Sequence, residues 1–270
     1  YYPFFLSIFM VFMILVQKAI PSWKNVAPQL VAVSSLAIFI APIADWIISG
    51  GKGLKMTYFF DAPKDMISRF LTFGGTDIYM GATIGLRIEI ALAVLFFGLL
   101  VYFIQKNWKR AIISSLVFYI IILIFASIPG IISAIGQVGN FFQANPAVFL
   151  QKSITNSATI SNNIHSSLQY SSATRLFEMS FNFLMSKILL LILIAAVSVW
   201  FHLNFKEKLK AMIINSRPER VAHYFILVFV GLLIAHTIFP TTQFNWNDWL
   251  SVIVLCLSFY FSIMFAVCIN

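Results

Sequence analysis

Seven apolar runs, at about 3–16, 26–48, 82–105, 111–136, 180–205, 221–239 and 249–269, divide the sequence. A helix rises 1.5 Å per residue, so a run of about 20 residues crosses a hydrocarbon core of about 30 Å. In lipid every backbone N–H and C=O needs an internal partner, and aperiodic Leu, Ile, Phe and Val content suits helices rather than the alternating strands of a barrel. The predicted fold is all-α: a polytopic transmembrane helical bundle of about seven spans. Composition agrees, since the chain is 60% apolar and only 10% charged, against about 25% charged residues in an ordinary soluble domain. That balance excludes a soluble enzyme, a secreted disulfide scaffold and a disordered regulator. The formal charge of +9 is read as a basic excess in loops that meet anionic lipid, not as a nucleic-acid surface. The apolar run at Phe4 to Val16 starts almost at once and Asn270 closes the last, so the chain reads as a fragment whose first span is truncated.

Orientation follows from the connections. Lys18 and Lys24, then Lys106, Lys109 and Arg110, then Lys206, Lys208, Lys210, Arg217 and Arg220 crowd the first, third and fifth loops. The second loop spreads Lys52, Lys55, Lys64 and Arg69 over a long stretch, the fourth has Lys152 and Arg175, and the sixth has no cation. Loops 17–25, 106–110 and 206–220 are therefore assigned to the cytoplasm, and the protein to a plasma (inner) membrane. All six tryptophans, Trp23, Trp46, Trp108, Trp200, Trp246 and Trp249, fall near span ends, as interfacial anchors do.

The second loop contains a predicted interfacial helix near 62–73, with Met66, Ile67, Phe70 and Leu71 on one face and Lys64, Asp65, Ser68 and Arg69 opposite. Asp61 and Asp65 have the spacing of an acid–base or cation-binding pair. Local structure explains them more simply, with Asp61 near the helix start, Pro63 in its first turn and Asp65 paired to Arg69. The fourth loop is rich in Ser, Asn, Thr and Gln, with a short helix expected after Asn145-Pro146 and a solitary, solvated His165. Cys256 and Cys268 lie about 18 Å apart along one helix and cannot bridge within it. With His202, His223 and His236 at separate span ends, no zinc pattern forms, and phosphate-loop and serine-nucleophile motifs are absent.

Ionisable residues inside spans carry more information, because each costs about 2.5–3.5 kcal/mol at mid-bilayer on insertion scales. Asp45, Arg87, Glu89 and Lys187 are the candidates, all assigned to outer helix ends. Either each snorkels to an interface, or they gather in an outer polar pocket suited to the head group of a lipid-linked substrate. In the pocket, Asp45 would pair with Arg87 and Glu89 with Lys187. Pro129-Gly130 is expected to bend the fourth span or end it early.

The last stretch has a basic approach, Asn215-Ser216-Arg217-Pro218-Glu219-Arg220, then a span, an uncharged turn and a span closing in Cys268-Ile269-Asn270. This resembles the opening of the UbiA superfamily of intramembrane prenyltransferases, in which an Arg-Pro precedes the first helix and an Asn-Asp-x-x-Asp motif ends the second. The resemblance implies that Arg217 and Asn270 bind substrate. It also implies that Mg²⁺ holds a prenyl diphosphate on aspartates of that motif, none of which is in this chain, so the fragment by itself is expected to be inactive. Residues 1–205 would be an added five-span membrane module and 206–270 the start of the transferase domain. Two other readings are a transporter component, with the four intramembrane charges lining a path, and a membrane glycosyltransferase acting on a lipid-phosphate donor through Asp61 and Asp65.

Overall fold

The computed structural model describes residues 2–54, 58, 63–75, 82–137, 149–150, 170–238 and 244–269, and every regular element among them is helical. Six helical stretches are long and apolar enough to cross a membrane, and a shorter apolar helix, Pro3–Ala19, precedes them. The expected bundle is present, with its first run shorter than the other spans. Large apolar side chains cover the outer faces of these helices; Leu227 and Leu233 are 64% and 67% exposed. A face of that kind is stable against lipid tails and not against water.

By packing the chain divides into two compact units, Tyr1–Leu150 and Gln151–Asn270. The helix holding 180–205 packs on the last helix of the chain.

In the first unit, α1 (Tyr2–Ala19) is followed by the run Ala27–Ile48, which is not one helix. It comprises α2 (Ala27–Ser34), a 3₁₀ segment (Ser35–Phe39) and α3 (Ile40–Ile48). Pro42 explains the interruption: its ring lacks an N–H and clashes with the carbonyl four residues earlier, so the helix restarts with Pro42 in its first turn. α4 (Pro63–Leu71) carries the predicted amphipathic face. The Tyr119 hydroxyl donates to the Phe70 carbonyl at 2.9 Å and the Tyr119 ring stacks on Phe73 at 4.8 Å, while Ile67 and Leu71 stay exposed. The expected Asp65–Arg69 pair gives way to a different bond, with Arg69 Nη1 donating to the Gly74 carbonyl at 3.0 Å beyond the helix end.

The hairpin of α5 (Ile84–Gln105) and α6 (Trp108–Ala126) is the best-packed pair. Thr83 caps α5 by accepting the Leu86 N–H, and Asn107 caps α6 by accepting the Arg110 N–H. Between them Lys106 takes a left-handed φ of 51°. Gly98 lets the helices close up, since a Cβ there would stand 2.2 Å from Ser115 Oγ. Phe12, Phe97 and Phe118 tie α1 to this hairpin, with ring centroids 5.0–5.3 Å apart. α6 stops at Ala126 and α7 (Ile128–Gly136) restarts with Pro129 in its first turn, which is the break expected from Pro129-Gly130.

The second unit holds α8 (Tyr170–Asn215), α9 (Pro218–Ile238) and α10 (Trp246–Ile269). The fifth run does not end at 205. Phe205 departs from helical geometry (φ −140°, ψ 45°), and helix then resumes to Asn215, so much of the predicted basic loop is helical. α10 packs against both α8 and α9, with Tyr224 stacked on Phe259 at 6.5 Å. The Asn245 N–H donates to Asp248 Oδ2 at 2.9 Å, which secures the start of α10.

Candidate functional site

Four residues on α3 and α5 form the most distinctive polar arrangement. The break at Pro42 leaves α3 with a first turn of its own, and the Ala41 N–H there donates to Glu89 Oε2 at 3.0 Å. In return the Gly85 N–H, in the first turn of α5, donates to Asp45 Oδ1 at 2.7 Å. Each helix therefore supplies a carboxylate to the other's N-terminal turn, where the unsatisfied N–H groups and the helix dipole favour negative charge. Both halves share one spacing, Ala41 with Asp45 and Gly85 with Glu89, read in opposite directions along antiparallel helices. Gly85 is required by the contact: a Cβ there would meet the Ala41 carbonyl oxygen at 2.3 Å and Asp45 Cγ at 2.8 Å. Asp45 is 1% exposed and its Oδ2 has no hydrogen-bond partner among the described residues.

Glu89 also lines an apolar cavity of about 530 Å³ enclosed by α1, α2, the 3₁₀ segment, α3, α5 and α6. Phe5, Phe9, Ile40, Ala93 and Leu123 are among its walls, and among the described lining residues all but Glu89 are apolar. The size is that of a small-molecule or lipid pocket. Val33 and Phe96, also on the wall, are 67% and 51% exposed, so the cavity opens on the surface of the unit.

The second unit has its own polar cluster. Lys187 Nζ on α8 donates to Asn247 Oδ1 at 2.9 Å and to Ser251 Oγ at 2.7 Å, both on α10. The Ser251 hydroxyl donates to the Asn247 carbonyl at 3.1 Å, and Asn247 is buried.

These contacts correct the expected pairings. Asp45 does not pair with Arg87, because its Oδ1 is taken by the Gly85 N–H and Oδ2 has no partner. Arg87 Nε instead donates to the Ala82 carbonyl at 3.1 Å. Residues 87 and 89 point to different sides of α5, so only Glu89 reaches α3. Glu89 accepts the Ala41 N–H within the first unit, and Lys187 donates to the Asn and Ser of α10 within the second. Within the first unit Asp45 and Glu89 form a carboxylate pair, and within the second Lys187 forms a cluster with Asn247 and Ser251.

Arg217 stands exposed between α8 and α9 with φ 50°, and its N–H donates to the Ile214 carbonyl at 3.2 Å. Ser216 beside it is buried, its hydroxyl donating to the Ile213 carbonyl at 2.7 Å. Asn270, Asp61, His165 and the Asn145-Pro146 step lie outside the described residues. Asp65 is exposed on α4, and His202, His223 and His236 are exposed on helix surfaces. Among the described residues no three His, Cys, Asp or Glu side chains gather as metal ligands.

The sequence reading overlooked Ala41, Pro42, Gly85, Asn247 and Ser251. The signal for the first three was present: a small residue four positions before an intramembrane acid occurs twice, once beside a proline that breaks a span. Comparisons of the chain with protein-family models, curated proteins and solved structures find no match.

Proposed function

We propose that this integral membrane protein handles a lipid diphosphate, in the manner of an intramembrane prenyltransferase, and that Arg217 contacts the phosphate. One observation carries the reading. α9 and α10 are antiparallel neighbours with Tyr224 stacked on Phe259, so the start of α9 and the end of α10 share one end of the unit. Arg217 is exposed at that end, free of the helix core, immediately before Pro218 opens α9. A guanidinium there suits a phosphate oxygen pair, and the apolar helices suit the hydrocarbon that follows it. No metal step is assigned to the described residues.

The test uses native membranes containing the intact gene product, incubated with a labelled prenyl diphosphate and extracted for prenylated lipid. Arg217→Gly relieves the left-handed backbone while removing the charge, so a loss of transfer in that variant reports on phosphate contact rather than on folding. Full transfer by Arg217→Gly, or no transfer by the parent protein with any prenyl donor, would reject the reading.

A transporter reading is favoured by a separate observation. A span broken near Pro42 places a buried carboxylate, Asp45, and a half-buried one, Glu89, beside the 3₁₀ segment, an arrangement membrane carriers use for ions. Proton or cation uptake by proteoliposomes, abolished in Asp45→Asn, would support it; uptake equal to that of empty vesicles would remove it.

A further inference from the structure

The cavity of the first unit has a polarity that selects among lipids. Among the described residues its wall is hydrocarbon except at Glu89, whose Oε2 is engaged by the Ala41 N–H and whose Oε1 has no partner there. No Lys or Arg is among the described residues that line the cavity. A carboxylate in such surroundings is costly unless a cation or donor meets it. The exposed Val33 and Phe96 on the wall give a hydrocarbon chain a lateral way in, and the aromatic side chains of α1 lie along the interior.

We infer that this cavity is a binding site for a single-chain amphiphilic amine, with the hydrocarbon tail among Phe5, Phe9, Ile90 and Leu123 and the ammonium on Glu89 Oε1. The charge on the wall decides the class. An ammonium matches the carboxylate, a hydroxyl forms only a neutral-donor bond, and a fatty carboxylate is repelled. The Ala41 N–H fixes the position of the Glu89 head before ligand arrives, so little side-chain ordering remains to oppose binding. The inference rests on the first unit alone and is independent of Arg217.

The experiment uses the purified chain in nanodiscs of phosphatidylcholine with three photoreactive probes of one chain length: a diazirine alkylamine, the matching alcohol and the matching carboxylic acid. Labelled peptides are mapped by mass spectrometry. The amine is expected to label α1 and α5 peptides, to be displaced by unlabelled alkylamine, and to exceed the acid by about tenfold or more. Glu89→Gln keeps an acceptor for the Ala41 N–H and should lower amine labelling by about tenfold while leaving alcohol labelling unchanged. Ala93→Phe, which fills the cavity from α5, should lower all three. Equal labelling by the three head groups in the parent protein, a comparison that needs no variant, would overturn the inference. So would amine labelling that survives either substitution.

Discussion

At the scale of single residues, the α3–α5 contact is held by groups that cannot be exchanged for close relatives. Gly85→Ala would drive a methyl to 2.3 Å from the Ala41 carbonyl and 2.8 Å from Asp45 Cγ, both of which belong to packed backbone or a buried side chain. Overpacking of that kind costs about 1–3 kcal/mol, and it also parts Asp45 from the Gly85 N–H. Gly231→Ala is the contrast, because nothing lies within 4 Å of the added methyl; helix propensity there gives a gain of up to about 1 kcal/mol. Thermal unfolding in one detergent should place the Gly85 variant well below the parent protein and the Gly231 variant at or above it. Asp45 is expected to behave as an acceptor. Asn at this position retains an oxygen for the Gly85 N–H and should leave stability close to that of the parent, whereas Asp45→Ala strands a buried donor and should cost about 1–3 kcal/mol.

At the scale of elements, the spans were legible and their interruptions only partly so. The Pro129-Gly130 break was readable because both residues disfavour a continuous helix; Pro42 exerts the same backbone constraint but sits in a run so apolar that its length dominated the reading. Residues 206–215 were read as loop from charge alone, yet Lys and Glu are good helix formers and the helix resumes there after Phe205. Removing the first break is a direct test. Pro42→Ala should let α2 and α3 merge, returning the Ala41 N–H to its own helix and taking it from Glu89. Hydrogen exchange should then show greater protection across 38–42 together with a lower melting temperature, because Glu89 loses its partner. Unchanged exchange would mean that packing, not Pro42, sets the break. The hairpin turn gives the opposite sign. Lys106 holds a left-handed backbone costing about 1–2 kcal/mol, and its amine 5.3 Å from the Phe103 ring returns about 0.5–1 kcal/mol at an exposed site. Lys106→Gly should therefore raise the melting temperature modestly.

For the whole molecule, fold class was written plainly in hydrophobic run length, whereas side-chain partnership was not. Asp45, Glu89 and Lys187 could be picked out because an ionisable residue in a span is conspicuous. Their partners could not, because a backbone N–H freed by a broken helix, or an Asn and a Ser on another span, carries no charge to reveal it. Orientation is the remaining global property, and it follows from loop charge rather than from any contact. In a background with Cys256 and Cys268 replaced by Ser, single cysteines at Asn107, Asn215 and Lys52 provide exposed reporters in three connections. The lysine and arginine bias assigns 107 and 215 to one compartment and 52 to the other. An impermeant maleimide added to intact cells should label the Lys52 reporter alone, and inverted vesicles should reverse the pattern. Labelling of 107 and 52 from the same side would mean that the α4 region does not follow the charge rule. Labelling of 215 from outside would be more damaging, because the lysine- and arginine-dense connection that most strongly sets the orientation would then lie on the opposite side.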